Sequence, residues 1–192
     1  MSAVSADAGL LVSTTPSCDA GAAPTQVFSQ WLDPFGYAPL PGGDFESAAA
    51  GWTLNGGAKV VAGNESYAVG GSSDASSLSI PAGGSATSPA VCVDLAHPTI
   101  RFFAKRNSGG LLGLSQMSVE VLFQNNLGIL NSLPIGVVTP SSSWQPTLPM
   151  TILANLLPLS LDAGTPVQFR FTPLLGGDWS MDDVYVDPYQ RR

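Results

Sequence analysis

Apolar and polar residues alternate with a period of two in several short runs of this chain. In "MSVEVLFQ", residues 117–124, Val119, Val121 and Phe123 share one side, while Ser118, Glu120 and Gln124 take the other. In "VQFRFT", Val167, Phe169 and Phe171 oppose Gln168, Arg170 and Thr172. Successive side chains of a strand point to opposite faces, so this period marks half-buried antiparallel strands. The pattern predicts ten strands, at 51–54, 58–62, 77–80, 86–93, 99–105, 117–124, 133–139, 147–152, 167–173 and 179–186. Gly, Pro, Ser and Asn separate them, and no long amphipathic helix intervenes. An all-β antiparallel sandwich is expected.

Two regions depart from this rhythm. Residues 1–36 read as an irregular N-terminal arm rich in Ser, Ala, Thr and Pro, with Phe28, Trp31 and Phe35 positioned to lie on a body spanning 37–192. Residues 121–161 contain no charged side chain. That stretch is either a pair of core strands with a buried connection or an apolar surface for a partner or for self-assembly, since large uncharged patches rarely stay bare.

Composition narrows the partners. The chain of 192 residues has a net charge of −7, with only 11% charged and 44% hydrophobic residues. Its hydrophobic content is that of a folded chain. Two Lys and five Arg provide too few contacts for a counterion-release mode of nucleic-acid binding, and anionic membrane surfaces are disfavoured for the same reason. No run is long enough for a transmembrane helix. The start, "MSAVSADAGLLVS", lacks a basic n-region, but "AVSADA" has the small residues that end a leader, so an exported protein is expected. Cys18 and Cys92 have no zinc-type spacing to each other or to His97, the only histidine. They are expected to form one disulfide, worth about 4 kcal/mol in the chain-entropy account and fitting an oxidising compartment; two buried thiols are the alternative.

The motifs "GDFES…GWTLNGGAKVVAGN", "SLSIPAGGSATSPAVCV", "TIRFFAKRNSG", "SVEVLFQNNLG", "SSSWQPT", "VQFRFTP" and "WSMDDVYVDP" follow one another in an order similar to another group of proteins. The chain resembles the jelly-roll carbohydrate-binding modules of the galactose-binding-like superfamily, over about residues 37–189, and also exported proteins of high-GC Gram-positive bacteria built on that domain. The resemblance implies a structural calcium where the opening strand meets the closing one. The matching ligands are Glu46 and Asp182, with Asp44 and Asp183 as neighbours. Ca²⁺ accepts six to eight oxygens of mixed type; the alternative is that these acids cap strand ends and stay solvated. Trp52, Trp144 and Trp179 match positions that pack structurally in such modules, and Trp31 lies outside the match.

Sugar binding calls for aromatic and hydrogen-bonding side chains on one face. "TIRFFAK" puts Arg101, Phe103 and Lys105 on one side of its strand. Were neighbouring strands to add Glu120, Gln124, Gln168 and Arg170, one sheet would carry a shallow glycan groove, Arg and Gln matching pairs of sugar hydroxyls. A solvated face with an Arg–Glu pair is the alternative.

Catalysis finds little support. His97, before Pro98, reads as a turn residue, and "GSSD" and "SSSW" make no nucleophile elbow. No GxSxG, HExxH, P-loop or dinucleotide fingerprint occurs. Among the three glutamates, Glu46 matches the calcium position, Glu65 is in a loop, and Glu120 faces arginines that keep it ionised, so none suits a two-carboxylate glycosidase. "NES" at 64–66 is a glycosylation sequon without consequence in a bacterial protein. The expectation is a non-catalytic, secreted or cell-surface module for a carbohydrate or other surface ligand, with structural Ca²⁺. A self-assembling subunit using residues 121–161 is the alternative.

Overall fold

The computed structural model describes residues 23–93, 99–125, 127–152 and 165–187. Cys18 and His97, and with them the tests of the Cys18–Cys92 bond and of the His97 turn, lie outside the described residues. So do residues 1–22 of the arm and 153–161 of the uncharged stretch.

The strands are β1 (Ala38–Pro39), β2 (Thr53–Asn55), β3 (Lys59–Ala62), β4 (Ser76–Ile80), β5 (Ser85–Thr87), β6 (Val91–Val93), β7 (Thr99–Arg106), β8 (Gln116–Gln124), β9 (Leu130–Val138), β10 (Gln145–Pro146), β11 (Met150–Thr151), β12 (Thr165–Leu174) and β13 (Trp179–Val186). They form two antiparallel sheets packed as a jelly-roll sandwich. One runs β10-β7-β13-β4-β3, with β1 added to β13 and β11 to β7; the other runs β2-β5-β12-β8-β9, with β6 added to β12.

The alternation works as expected in the long strands. Val167, Phe169 and Phe171 of β12 and Val119 and Val121 of β8 are fully buried, facing Phe102, Leu78, Met181 and Trp179 of the other sheet in one core. Each large apolar side chain so buried contributes about 1.5–3 kcal/mol. Trp52 and Trp179 belong to this core, as expected. Trp179 donates its indole N–H to Ser115 Oγ at 2.8 Å.

Local chemistry explains the differences from the expected strands. The run 86–93 divides into β5 and β6 around Pro89, which has no N–H for a ladder. Of the run 147–152 only the short β11, just after Pro149, is a strand, and β10 precedes the run at Gln145–Pro146. On β9, a bulge opposite Val119 and Glu120 accommodates Pro134 on the last strand of its sheet, where proline costs least.

Candidate functional site

Cross-strand partners share a side of a sheet, so register sorts the outer face of the β7-containing sheet into rows. Arg101 pairs with Tyr185 and Phe103 with Asp182. The next row runs across four strands: Lys105 opposite Ser180, Ser180 opposite Ser79, and Ser79 opposite Lys59. Their sequence neighbours Ala104, Met181, Leu78 and Val60 face the core.

The arm covers the first two rows. Residues 25 and 37 bridge, and a 3-10 turn at Ser29–Trp31 follows Phe28. Phe28 is fully buried, stacked on Phe103 at 5.6 Å and edge-on to Tyr37 and Tyr185. The Arg101 guanidinium lies 4.2 Å from the Phe28 ring centre and pairs with Asp33. Arg101 Nε also donates to the Thr147 carbonyl at 2.9 Å, and the Tyr37 hydroxyl donates to Asp33 Oδ2 at 2.8 Å. Burial alone would raise the Asp33 pKa, but the Tyr37 hydroxyl, Arg101 and the Phe35 N–H outweigh it and hold the carboxyl below its usual value. Burial pushes the Tyr37 hydroxyl up to about 12.

Arg101 and Phe103, expected on an open groove, are therefore under the arm, at 4% and 0% exposure. Over Phe103 the accessible aromatic surface is instead Tyr67, 38% exposed, and the half-buried Trp31; Phe35 of the arm is exposed as well. Trp31 meets Tyr67 edge-to-face at 4.9 Å, and both rings pack on Phe103. Tyr67 donates its hydroxyl to the Trp144 carbonyl at 3.3 Å. Trp144 is buried in the same aromatic cluster, and Lys105 Nζ sits 4.8 Å from its ring centre.

The single polar groove is not assembled. Glu120, Gln124, Gln168 and Arg170 lie on β8 and β12, in the opposite sheet from Arg101, Phe103 and Lys105. β7 takes β13, β10 and β11 as partners, whereas β8 and β12 pair with each other. Arg170 Nε contacts Glu120 Oε2 at 2.8 Å across that pairing, the ion-pair arrangement weighed above. Gln168 Nε2 donates to the Ser88 carbonyl.

Carboxylates collect where β13 meets the 63–75 loop. A register shift between Asp182 and Tyr185 puts Asp183 at a positive φ of 48°, so two consecutive acids face that loop. Asp182 is fully engaged: its Oδ2 accepts from Glu65 N and its Oδ1 from Asp183 N, both at 2.9 Å. Glu65, itself buried, accepts from the Tyr67 and Val69 N–H groups and so shapes the loop that carries Tyr67. Asp183 is buried, and its Oδ2 has no hydrogen-bond partner. A Cβ built on Gly70 would meet Asp74 Oδ2 at 2.5 Å and Asp183 Oδ1 at 2.7 Å, so both carboxylates converge on the bare Gly70 backbone.

Burial, with Asp183 and Glu65 nearby, pushes the Asp182 carboxyl up to about 8 against its backbone hydrogen bonds. Burial and the charges of Glu65 and Asp74 push Asp183 up to about 7. Burial raises Asp74 too, helped by Glu46 and Asp44.

The expected ligands thus occupy different roles. Glu46 is exposed and caps the start of β4, its Oε1 accepting from Ala75 N and Ser76 N. Asp183, expected as a neighbour, has the unpartnered oxygen, and Asp74 is an acid the sequence pattern did not single out. It sits in a Gly/Ser loop with no periodicity, and only the fold brings it to β13. No three His, Cys, Asp or Glu side chains among the described residues are arranged to hold an ion by themselves. A Ca²⁺ there would have two carboxylates, Asp183 and Asp74, and would need backbone carbonyls or water for its remaining oxygens.

On another edge, β9 and the 139–151 segment line an uncharged groove of about 540 Å³ that includes Ile135, Val137, Leu148 and Met150. Val137 and Leu148 are 52% and 77% exposed, and Leu127 and Ile129 continue the apolar surface.

No known family model matches this chain, and neither does any curated protein. Solved structures do resemble it. A Clostridium thermocellum xylanase 10B fragment joining a CBM22-1 and a GH10 module, complexed with xylohexaose, matches at 16% identity and a TM-score of 0.54, covering 77% of this chain and 28% of that one. The CBM22-1 xylan-binding domain of Paenibacillus barcinonensis Xyn10C matches at 15% identity and 0.52, covering 78% and 93%. The CBM22-2 xylan-binding domain of the same protein matches at 13% and 0.52, covering 77% and 98%. The likeness is one of architecture: this chain has the jelly-roll β-sandwich fold of CBM22 carbohydrate-binding modules.

Proposed function

We propose that this chain is a non-catalytic, exported carbohydrate-binding module that takes a glycan on the outer face of the β7-containing sheet. The observation that carries the reading is the Tyr67 ring, 38% exposed and braced by Trp31 and Phe103 on the face that also presents the partly exposed Lys105 and Ser79 and the exposed Lys59. The C–H faces of a pyranose stack on such a ring while its hydroxyls need donors and acceptors at the rim. That the architectural neighbours include domains described as xylan-binding supports the same class of ligand. Structural calcium at Asp183 and Asp74 belongs to this reading, as does the Cys18–Cys92 bond in an exported protein.

Titration with xylo-oligosaccharides and other soluble β-glycans tests it. The protein should bind at least one of them, and Tyr67→Ala should weaken that binding about tenfold or more, about 1.4 kcal/mol, while circular dichroism shows the variant still folded. Failure to bind any of the panel, or full affinity without the Tyr67 ring, rejects the site.

Self-association is a second reading, favoured by the exposed Leu127, Ile129, Val137 and Leu148 on the uncharged stretch. Light scattering behind size-exclusion chromatography decides it. A mass that grows with concentration and reverts in Val137→Lys supports assembly, and a monomer mass throughout excludes it.

A further inference from the structure

Lys59 and Lys105 are the two lysines of the chain, and register puts both in one cross-strand row, separated by Ser79 and Ser180. The fold brings together residues 46 positions apart onto neighbouring parts of one face. Three strand spacings separate them, about 14 Å, a span suited to a short oligosaccharide.

Every other described cation is already committed. Arg101 pairs with Asp33, Arg170 with Glu120, and Arg106 donates to the Gly113 carbonyl. Neither lysine meets a carboxylate among the described residues. The acids bordering the row are satisfied internally: Asp178 accepts from Ala82 N and from the Ser108 hydroxyl, and Asp182 from Glu65 N and Asp183 N. Between the lysines, Ser79 is partly exposed, whereas Ser180 is buried with its Oγ accepting from Asn107 Nδ2 at 2.8 Å. The Trp144 ring beneath Lys105 steadies the ammonium by cation–π attraction while leaving its N–H groups donors.

In a chain of net charge −7, this is a local reversal of sign built from unpaired point charges and hydroxyls. We propose that the Lys59–Ser79–Ser180–Lys105 row selects an anionic glycan, one whose neutral backbone stacks at Tyr67 while a carboxylate or sulfate substituent meets a lysine. The inference rests on the carbohydrate-binding reading and adds the chemical class of the ligand. An ammonium–carboxylate hydrogen bond is stronger than a neutral one, and a salt-screened attraction distinguishes it from stacking.

The test compares three probes on the full chain: a uronate-branched xylo-oligosaccharide, the same oligosaccharide after carboxyl reduction, and a sulfated oligosaccharide of similar length. The uronate form should bind about tenfold more tightly than its reduced counterpart, and the advantage should shrink in high salt. Lys59→Gln/Lys105→Gln should abolish that preference, bringing the uronate and reduced forms to equal affinity. A preference for the sulfated probe that the same double variant removes identifies sulfate as the substituent. Equal affinity for charged and neutral probes overturns the inference and leaves the carbohydrate-binding reading standing. A charge preference that survives the double variant also overturns it. No binding to any probe removes both.

Discussion

Asp33→Ala is expected to destabilise the protein by about 3–5 kcal/mol, because it strands the buried Arg101 guanidinium without its counter-ion. For a chain of this size that is a fall in melting temperature of roughly 10 °C. The loss should be seen as a lower denaturant midpoint and as faster proteolysis of residues 23–36, which Asp33 and Phe28 tie to the sheet. The pair differs from a surface ion pair, worth at most about 1 kcal/mol, because Arg101 and Asp33 are 4% and 7% exposed. Asp33→Ala/Arg101→Met removes both charges and should cost less than the sum of the single changes. Strict additivity would mean the charges do not depend on each other. The sign with pH is fixed by the lowered Asp33 pKa. This contribution is present above the unfolded value, near 3.9, and disappears as pH falls through the lower folded value.

Alternation along the chain made the two faces of β7, β8 and β12 legible, because inward Val and Phe residues and outward polar ones are written directly into the sequence. It did not say which sheet each strand joins. The expected groove combined outward residues of β7 with those of β8 and β12, and those strands back opposite sheets. Pairing of distant strands is a long-range choice that a period of two leaves open. The arm had the same character. It reads as irregular, and nothing local tells that Asp33 finds Arg101, 68 positions away. The lysine row is a further case: each lysine alone is one polar strand residue, and only register makes them a pair. The pairing of Glu46 from "GDFES" with Asp182 from "WSMDDV" expected from the sequence is not what the fold uses: Glu46 caps β4, and Asp182 holds Glu65 N and Asp183 N. The division of labour between Asp182 and Asp183 depends on a bulge, which the sequence pattern does not announce.

That division sets the other large effect, the response of stability to calcium and pH. In chelator, the metal-free protein should lose stability as pH rises from about 4 to 8. Asp182 and Asp183 titrate in the folded state near 8 and 7, pushed up first by burial, and unfolded near 3.9. Across that window the native state binds more protons than the unfolded one, so the slope of stability with pH is negative. The loss is on the order of several kcal/mol, or roughly 10 °C in melting temperature. Ca²⁺ binds the ionised carboxylates, so its stabilisation should grow with pH and flatten the fall. Asp183→Asn removes the unpartnered carboxylate oxygen and one titrating group together. It should make the metal-free protein less sensitive to pH and blunt the calcium response. Glu46→Gln should alter the response less, because Glu46 serves mainly to cap β4. Equal melting curves in calcium and in chelator at pH 8 would reject the ion, and a flat pH profile in chelator would reject the buried, proton-holding pair.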